Sequence, residues 1–367
     1  MIIQENNFSL SWFVEEYEGY KIEVLVWESL DNPIPLARKA VLNIENMIET
    51  SDKHKIKEVD LDLANYMLSL INKDRKDHGL EPVELGINIA AQKHAEDMLK
   101  YRYLAHWDSD GFKPYIRYFQ YGGEGEVSEN AGFIGYMDDY KECLIGIIIC
   151  EKIDPIDALR ELEYAMVYDD ASSNWGHRDN ILDKWHNKVS IGIAYDDYFL
   201  ALVQHFENDY IDWEERTFDH NDFIIWKGSI KVPVDLSFDS DTLFINGYYD
   251  PFPTKLNNTQ LNNLPNCYTY GGGTLCNTDI VEVIMPELPL GYEYTDDVNT
   301  FSLSMAKTEN SNKVDFTIKF KPSLDEEGLY TYVLYMETGA INEYLPLSSY
   351  TIVYDDEIKS LLDYINN

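Results

Sequence analysis

The spacing of apolar residues changes along this chain, from every third or fourth position between about residues 58 and 212 to every second position beyond about residue 222. A helical face and a strand face have different periods, so the change separates a helix-rich region with short strands from an all-β region. In the first, Leu63, Met67, Leu70 and Ile71 line one face of a helix that should stop at Gly79, before Pro82. A second helix over about 86–101 turns Ile87, Ala91, Ala95 and Met98 or Leu99 inward, and Pro155 suits the first turn of a third over about 155–168. Segments 189–194 and 198–206 read as strands around Asp196 and Asp197. Helices on both sides of a small sheet would bury all these faces.

Short strand candidates follow at 228–233, 242–248, 279–285, 300–305, 314–320, 329–336 and 349–354, and seven strands separated by turns predict a β-sandwich. Glu326, Gly328, Tyr330 and Tyr332 are spaced like the F strand of an immunoglobulin-type sandwich, with Tyr330 as its tyrosine corner. Tyr332 stands where the disulfide cysteine of that strand would be, so the likeness is to the architecture alone. The expected fold class is α+β, with an N-terminal extension over 1–57, a helix-and-sheet domain over 58–212 and a sandwich over 222–367. The extension offers one strand at 20–27, then Pro33 and Pro35, then a helix spaced by Leu36, Ala40, Ile44 and Met47 or Ile48.

Charge limits the partners. Against 29 basic side chains stand 66 acidic ones, a formal net charge of -37, and no stretch concentrates Lys and Arg, so nucleic acid and anionic membrane are poor partners. The same surplus keeps a protein soluble in saline surroundings and by itself names no ligand. No span reaches the ~18 apolar residues of a membrane helix. Residues 1–20 lack a basic start, and Glu15, Glu16 and Glu18 interrupt any apolar run, so the chain is internal, a mature form, or read from a misplaced start. Cys267 and Cys276 flank the turn-prone Gly271-Gly272-Gly273, which could bring them within the ~7 Å that a disulfide tolerates. Cys143 and Cys150, if on one helix, would lie roughly 10 Å apart, and pair only if 144–149 bends. An even cysteine count permits export without demonstrating it.

Short motifs fill the helix-rich region in a fixed order: Met98, Ala105-His106-Trp107, Ser128-Glu129-Asn130, Gly176-His177-Arg178, Asn180-Ile181-Leu182, Ile191-Gly192-Ile193 and Gln204-His205-Phe206. With Asn72, Arg75, Gly79-Leu80, Pro82, Leu85, Ala91, Ala95 and Asp97 before them, residues 58–212 resemble the CAP superfamily, closest to its prokaryotic SCP-like branch. That superfamily comprises cysteine-rich secretory proteins, antigen 5 and pathogenesis-related 1 proteins. The resemblance implies an α-β-α sandwich with a cleft lined by two histidines and acidic residues, often seen with a divalent metal. It places the first histidine at His106, the glutamate at Glu129 and the second histidine at His177. Ser128 replaces the usual glycine before Glu129, which would alter a turn that needs positive φ. The second acidic residue is not uniquely placed, and Glu161, Glu163 and Asp170 are its candidates.

Two imidazoles and a carboxylate suit a zinc or copper ion, and with a bound water they match many hydrolytic zinc sites. Hydrolysis needs a base as well, and no His-Glu-x-x-His helix supplies one: Ala95 follows His94, and Met98 stands where a second His would fall. The leading reading is a non-enzymatic binding module, with a divalent metal or small ligand in the His/Glu cleft and the sandwich meeting a protein or cell-surface partner. A metal-dependent peptidase acting on peptides, and a surface adhesion protein without a functional cleft, are the alternatives. The resemblance implies an extracellular or surface location, while the plain N-terminus leaves a cytoplasmic one open. His94 reads as a helix-packing residue, His205 as a strand residue beside the core, and Asp108, Asp110 and Gly111 as a turn, because Lys113 and Phe119 break a calcium-loop spacing. Asn7 and Asn257 begin glycosylation sequons.

Overall fold

The computed structural model describes residues 2–4, 7–9, 61–136, 139–219, 222–231, 233, 242–264, 270, 280–295, 298–307, 313–340 and 343–355. The strand expected at 20–27, the helix after it, and the Cys267 and Cys276 pair lie outside them. At the start of the chain β1 (Ile2–Gln4) and β2 (Asn7–Ser9) pair antiparallel.

The first region is built on β3 (Glu84–Leu85), β4 (Glu126–Gly135), β5 (Lys188–Tyr195) and β6 (Phe199–Asn208), in the sheet order β3-β5-β6-β4. Its helices are α1 (Leu61–Asp77), α2 (Ala90–Tyr101), α3 (Pro114–Gln120), α4 (Tyr140–Leu144), α5 (Pro155–Tyr168) and α6 (Gly176–Ile181). Strand alternation sends Val189, Ile191, Ile193, Leu200, Leu202 and Phe206 to one face, where α1 and α5 cover them. It sends Ala131, Ala194, Phe199, Ala201 and Val203 to the other, where Ala91, Ala95 and Met98 of α2 pack. The result is the expected helix-sheet-helix sandwich. Gly192 permits the closest approach: a Cβ there would sit 2.1 Å from the carbonyl oxygen of Ala91, so α2 rests directly on the β5 backbone.

Local chemistry sets the ends of these helices. Asp154 caps α5, its Oδ1 accepting the N–H groups of Ile156 and Asp157 at 2.9 and 3.1 Å, and Pro155 follows where an N–H is dispensable. α1 ends two residues before Gly79, whose φ of 77° turns the chain back. Asn72 then clamps the returning segment by exchanging two hydrogen bonds with the backbone of Val83. Arg75, fully buried, donates to the carbonyls of Glu81, Ile181, Asp183 and His186. These residues, prominent in the motif string, are staples of the fold. Ile87, expected inward, is 97% exposed, because α2 starts only at Ala90, after the Asn88 side chain accepts the Ala90 N–H.

The bend that Cys143 and Cys150 require is present. α4 stops after five residues, Gly146 adopts φ 71°, and the two Cα atoms lie 5.5 Å apart in a disulfide. A continuous helix would have kept them apart.

The second region is a large sheet in the order β14-β13-β9-β10-β11-β12-β8-β7. Its strands are β7 (Ile211–Phe218), β8 (Ile224–Lys231), β9 (Leu243–Asp250), β10 (Ile280–Pro286), β11 (Asn299–Lys307), β12 (Lys313–Phe320), β13 (Gly328–Glu337) and β14 (Tyr344–Tyr354). Each of the seven expected strands is present, and β7 joins them by pairing antiparallel with β8, so this sheet begins ahead of the change in period. All pairings are antiparallel except β10 with β11, which meet over three residue pairs. At that seam the sheet folds over and its two halves pack: Phe320 faces Tyr332 at 5.3 Å between ring centres, and Trp226 faces Tyr350 at 6.1 Å. The tyrosine corner forms as read. Tyr330 Oη donates to the carbonyl of Glu326 at 3.0 Å and accepts the N–H groups of Asp325 and Glu326. Tyr332 Oη donates instead to buried Glu282 at 2.8 Å.

The two regions share core. Tyr115, Ile116, Tyr118 and Val127 cluster with Tyr248, Tyr270, Leu329 and Val333, and Phe119 enters the sandwich core. Across the same contact Asp250 receives Lys113 Nζ at 2.8 Å and Tyr115 Oη at 2.5 Å, all three buried. One helix, α3, therefore faces the small sheet and the sandwich together.

Candidate functional site

Glu129 and Asn130 are neighbours on β4, so their side chains leave opposite faces of the small sheet. Glu129 points to the α2 and α3 side, where its carboxylate is completely buried. Directly opposite it in register is His205, whose Nε2 lies 2.7 Å from Oε2. Arg117 of α3 donates to the same oxygen at 2.7 Å, and to the carbonyls of His106 and Phe112 at 2.8 and 2.6 Å. His106 Nδ1 sits 2.8 Å from Oε1, and His94 of α2 is 3.8 Å from that oxygen while bonding the Ala105 carbonyl. Burial alone would raise the Glu129 carboxyl, but Arg117, His94 and the bonds from His106 and His205 together hold it well below the usual carboxylate range. Burial, reinforced by Arg117, pushes His94 down to about 3, so it is a neutral imidazole that donates from Nε2.

On the other face Asn130 donates to the backbone carbonyl of His177 and to Gln204 Oε1, both at 3.1 Å, and accepts from Asn180 at 3.0 Å. His177 lies in the first turn of α6, after an abrupt turn in which Asn174 and Trp175 take φ of 54° and 65°. That turn aims the N–H groups of His177 and Arg178 at Oδ2 of buried Asp170, at 2.9 and 3.1 Å. The other oxygen of Asp170 holds His177 Nδ1 at 2.7 Å. Both histidines thus meet the edge strand β4, His106 through the Glu129 carboxylate and His177 through its backbone carbonyl, with 12% and 24% of their side chains exposed. Each leans its Nδ1 on a buried carboxylate. A carboxylate fixes the proton on Nδ1 and leaves the lone pair on Nε2, the tautomer by which metal-bound histidines commonly bind.

Of the residues singled out from sequence, His106 and Glu129 are brought together, and His177 is joined to Asp170. Glu161 is exposed on α5. Glu163 is buried, bonded to Gln204 at 3.2 Å, and burial pushes its carboxyl up to about 8. Ser128 lies in regular strand opposite Phe206, with none of the positive φ that a glycine would serve, so the substitution costs nothing there. Asp108 closes a turn, its Oδ1 accepting the N–H groups of Asp110 and Phe112. His94 and His205, expected as packing residues of a helix and a strand, both stand at Glu129, while Arg117 was not singled out and Asn130 entered only as part of a motif. His205 comes across from Glu129 only through the register of β4 on β6, a strand without periodic signal, and Arg117 left no signal either.

For the metal that the resemblance implies, these donors do not form a three-ligand set. Among the described residues no group of three or more His, Cys, Asp or Glu side chains is placed to hold an ion. Both Glu129 oxygens are taken by Arg117, His205 and His106. With the carboxylates so engaged, the imidazole Nε2 atoms of His106 and His177 are the donors left to such an ion, and Glu129 and Asp170 would stand behind them as positioning carboxylates.

Residues 68–206 match the model of the cysteine-rich secretory protein family, CAP. No curated protein sequence matches. Among solved structures, the CAP domain of Enterococcal PrgA aligns at 16% identity over 47% of this chain and 77% of its own, with a TM-score of 0.28. With the family match falling on the helix-sheet-helix sandwich and its paired histidines, residues 68–206 are a CAP domain.

Proposed function

We propose that this chain is a non-enzymatic binding protein of an oxidising, extracytoplasmic setting. In this reading its CAP domain takes a divalent metal ion through Nε2 of His106 and His177. The observation that carries the reading is the matched pair of imidazole–carboxylate contacts, His106 to Glu129 at 2.8 Å and His177 to Asp170 at 2.7 Å. Two imidazoles oriented by their carboxylates supply a partial coordination sphere that water completes, which favours reversible binding over a closed structural centre. A peptidase would need a carboxylate able to take a proton from water. Glu129 is the candidate nearest the histidines, and Arg117 and its hydrogen bonds leave it too weak a base. The Cys143–Cys150 disulfide supports the compartment.

Calorimetric titration with Zn²⁺ tests the site. Wild-type binding should be lost in His106→Ala and in His177→Ala, and weakened about 10–100-fold in Asp170→Asn, where the orienting carboxylate is gone. An absence of wild-type binding, or undiminished binding in His177→Ala, contradicts the reading. Cleavage of a peptide library that disappears in Glu129→Gln would replace it with the peptidase.

A further inference from the structure

We propose that the loop closed by Cys143 and Cys150 docks the protein onto an electrically neutral lipid surface. Between the cysteines the sequence runs Leu144-Ile145-Gly146-Ile147-Ile148-Ile149, without one polar side chain. Ile145, Ile147, Ile148 and Ile149 are 70%, 69%, 38% and 103% exposed, an aliphatic cluster that a monomer leaves in water at a cost. The loop stands on a firm base. Cys143 is buried, Tyr140 Oη donates to Asp196 at 2.8 Å, and the Arg102 guanidinium lies 3.6 Å from the centre of the Tyr140 ring. The disulfide holds it in one shape, so little ordering is left to be done on binding. Backbone groups entering an apolar phase must be satisfied internally, and the N–H groups of Ile145, Gly146 and Ile147 already bond to the carbonyls of Lys141, Cys143 and Glu142.

Side-chain type and charge select the occupant. Protein interfaces concentrate their energy in Trp, Tyr and Arg, and this tip has none, whereas aliphatic side chains alone suffice to enter lipid. A second copy is disfavoured by the mutual repulsion of chains at -37 each. The same charge sets the lipid: an anionic surface repels the protein and a zwitterionic one does not. The six residues between the cysteines are far too few to span a bilayer, so contact through this loop is peripheral.

Co-sedimentation of the full chain with phosphatidylcholine vesicles, and with vesicles rich in phosphatidylglycerol, is the test. Wild type should bind the first, bind the second more weakly, and regain the difference in high salt. Ile147→Asp and Ile149→Asp, both at solvent-facing positions, should keep the wild-type melting temperature and lose partitioning by about tenfold or more. The double variant Cys143→Ser/Cys150→Ser should weaken binding by loosening the loop. Absence of binding to phosphatidylcholine, or equal binding by the aspartate variants, overturns the proposal. So does a wild-type dimer in sedimentation equilibrium that Ile147→Asp dissociates, because the loop would then serve a second copy.

Discussion

Glu129 is held by one guanidinium and two imidazoles with no solvent around it, so the cluster is far more expensive to break than to keep. Replacing Arg117 by Met strands a buried carboxylate and should cost about 3–5 kcal/mol in denaturant unfolding; a loss below ~1 kcal/mol would mean the pair is not sealed. Because the folded pKa of Glu129 is depressed, its contribution is present at and above the ordinary carboxylate range and vanishes only as pH falls through the depressed value. Glu163 and Glu126 behave oppositely. Burial raises each from 4.5 to about 8, so the folded protein binds more protons than the unfolded one in that window. Their stabilisation is full below pH 4.5 and is lost as pH rises toward 8. Stability should therefore decline from pH 5 to 8, and Glu163→Gln should flatten the decline by on the order of 1–3 kcal/mol, read from urea midpoints across pH. An unchanged slope would place Glu163 in contact with water.

At the scale of elements, the tightest constraint is α2 lying on β5. Gly192→Ala would put a methyl carbon 2.1 Å from a backbone oxygen that cannot rotate away, so the helix must lift; about 2 kcal/mol or more of destabilisation is expected in thermal melts. The sequence was most legible where one face is apolar and the other wet. α5 came out at its observed bounds, and the strands of the sandwich within a few residues, because their periods are clean. β4 gave no periodic signal, since it is buried on both sides and places Glu129 and Asn130 inside. The choice of Asp170 for His177, from the three candidates Glu161, Glu163 and Asp170, was left open for another reason. It depends on two consecutive left-handed residues, one of them Trp175, a residue type that rarely adopts that conformation.

For the whole molecule, the change of period marked two regions but not their fusion. Tyr115 and Tyr118 come from the first region and Tyr248 and Tyr270 from the second, and only the fold shows that they share one cluster. The Lys113–Asp250–Tyr115 contact should make that fusion cooperative: Asp250→Ala leaves the Lys113 ammonium buried beside a lost partner, costs about 3–5 kcal/mol, and should split one calorimetric transition into two. A wild type that already melts in two steps would deny the coupling. Because α3 holds Arg117 toward Glu129 on one side and Phe119 in the sandwich on the other, the histidine site has to be examined in the full chain. The most direct measurement is long-range proton–nitrogen NMR of the imidazoles of His106 and His177 at neutral pH, before and after Zn²⁺. The account predicts both rings protonated on Nδ1, with Zn²⁺ shifting both Nε2 resonances. Protonation on Nε2 in either ring, or spectra indifferent to Zn²⁺, would contradict it.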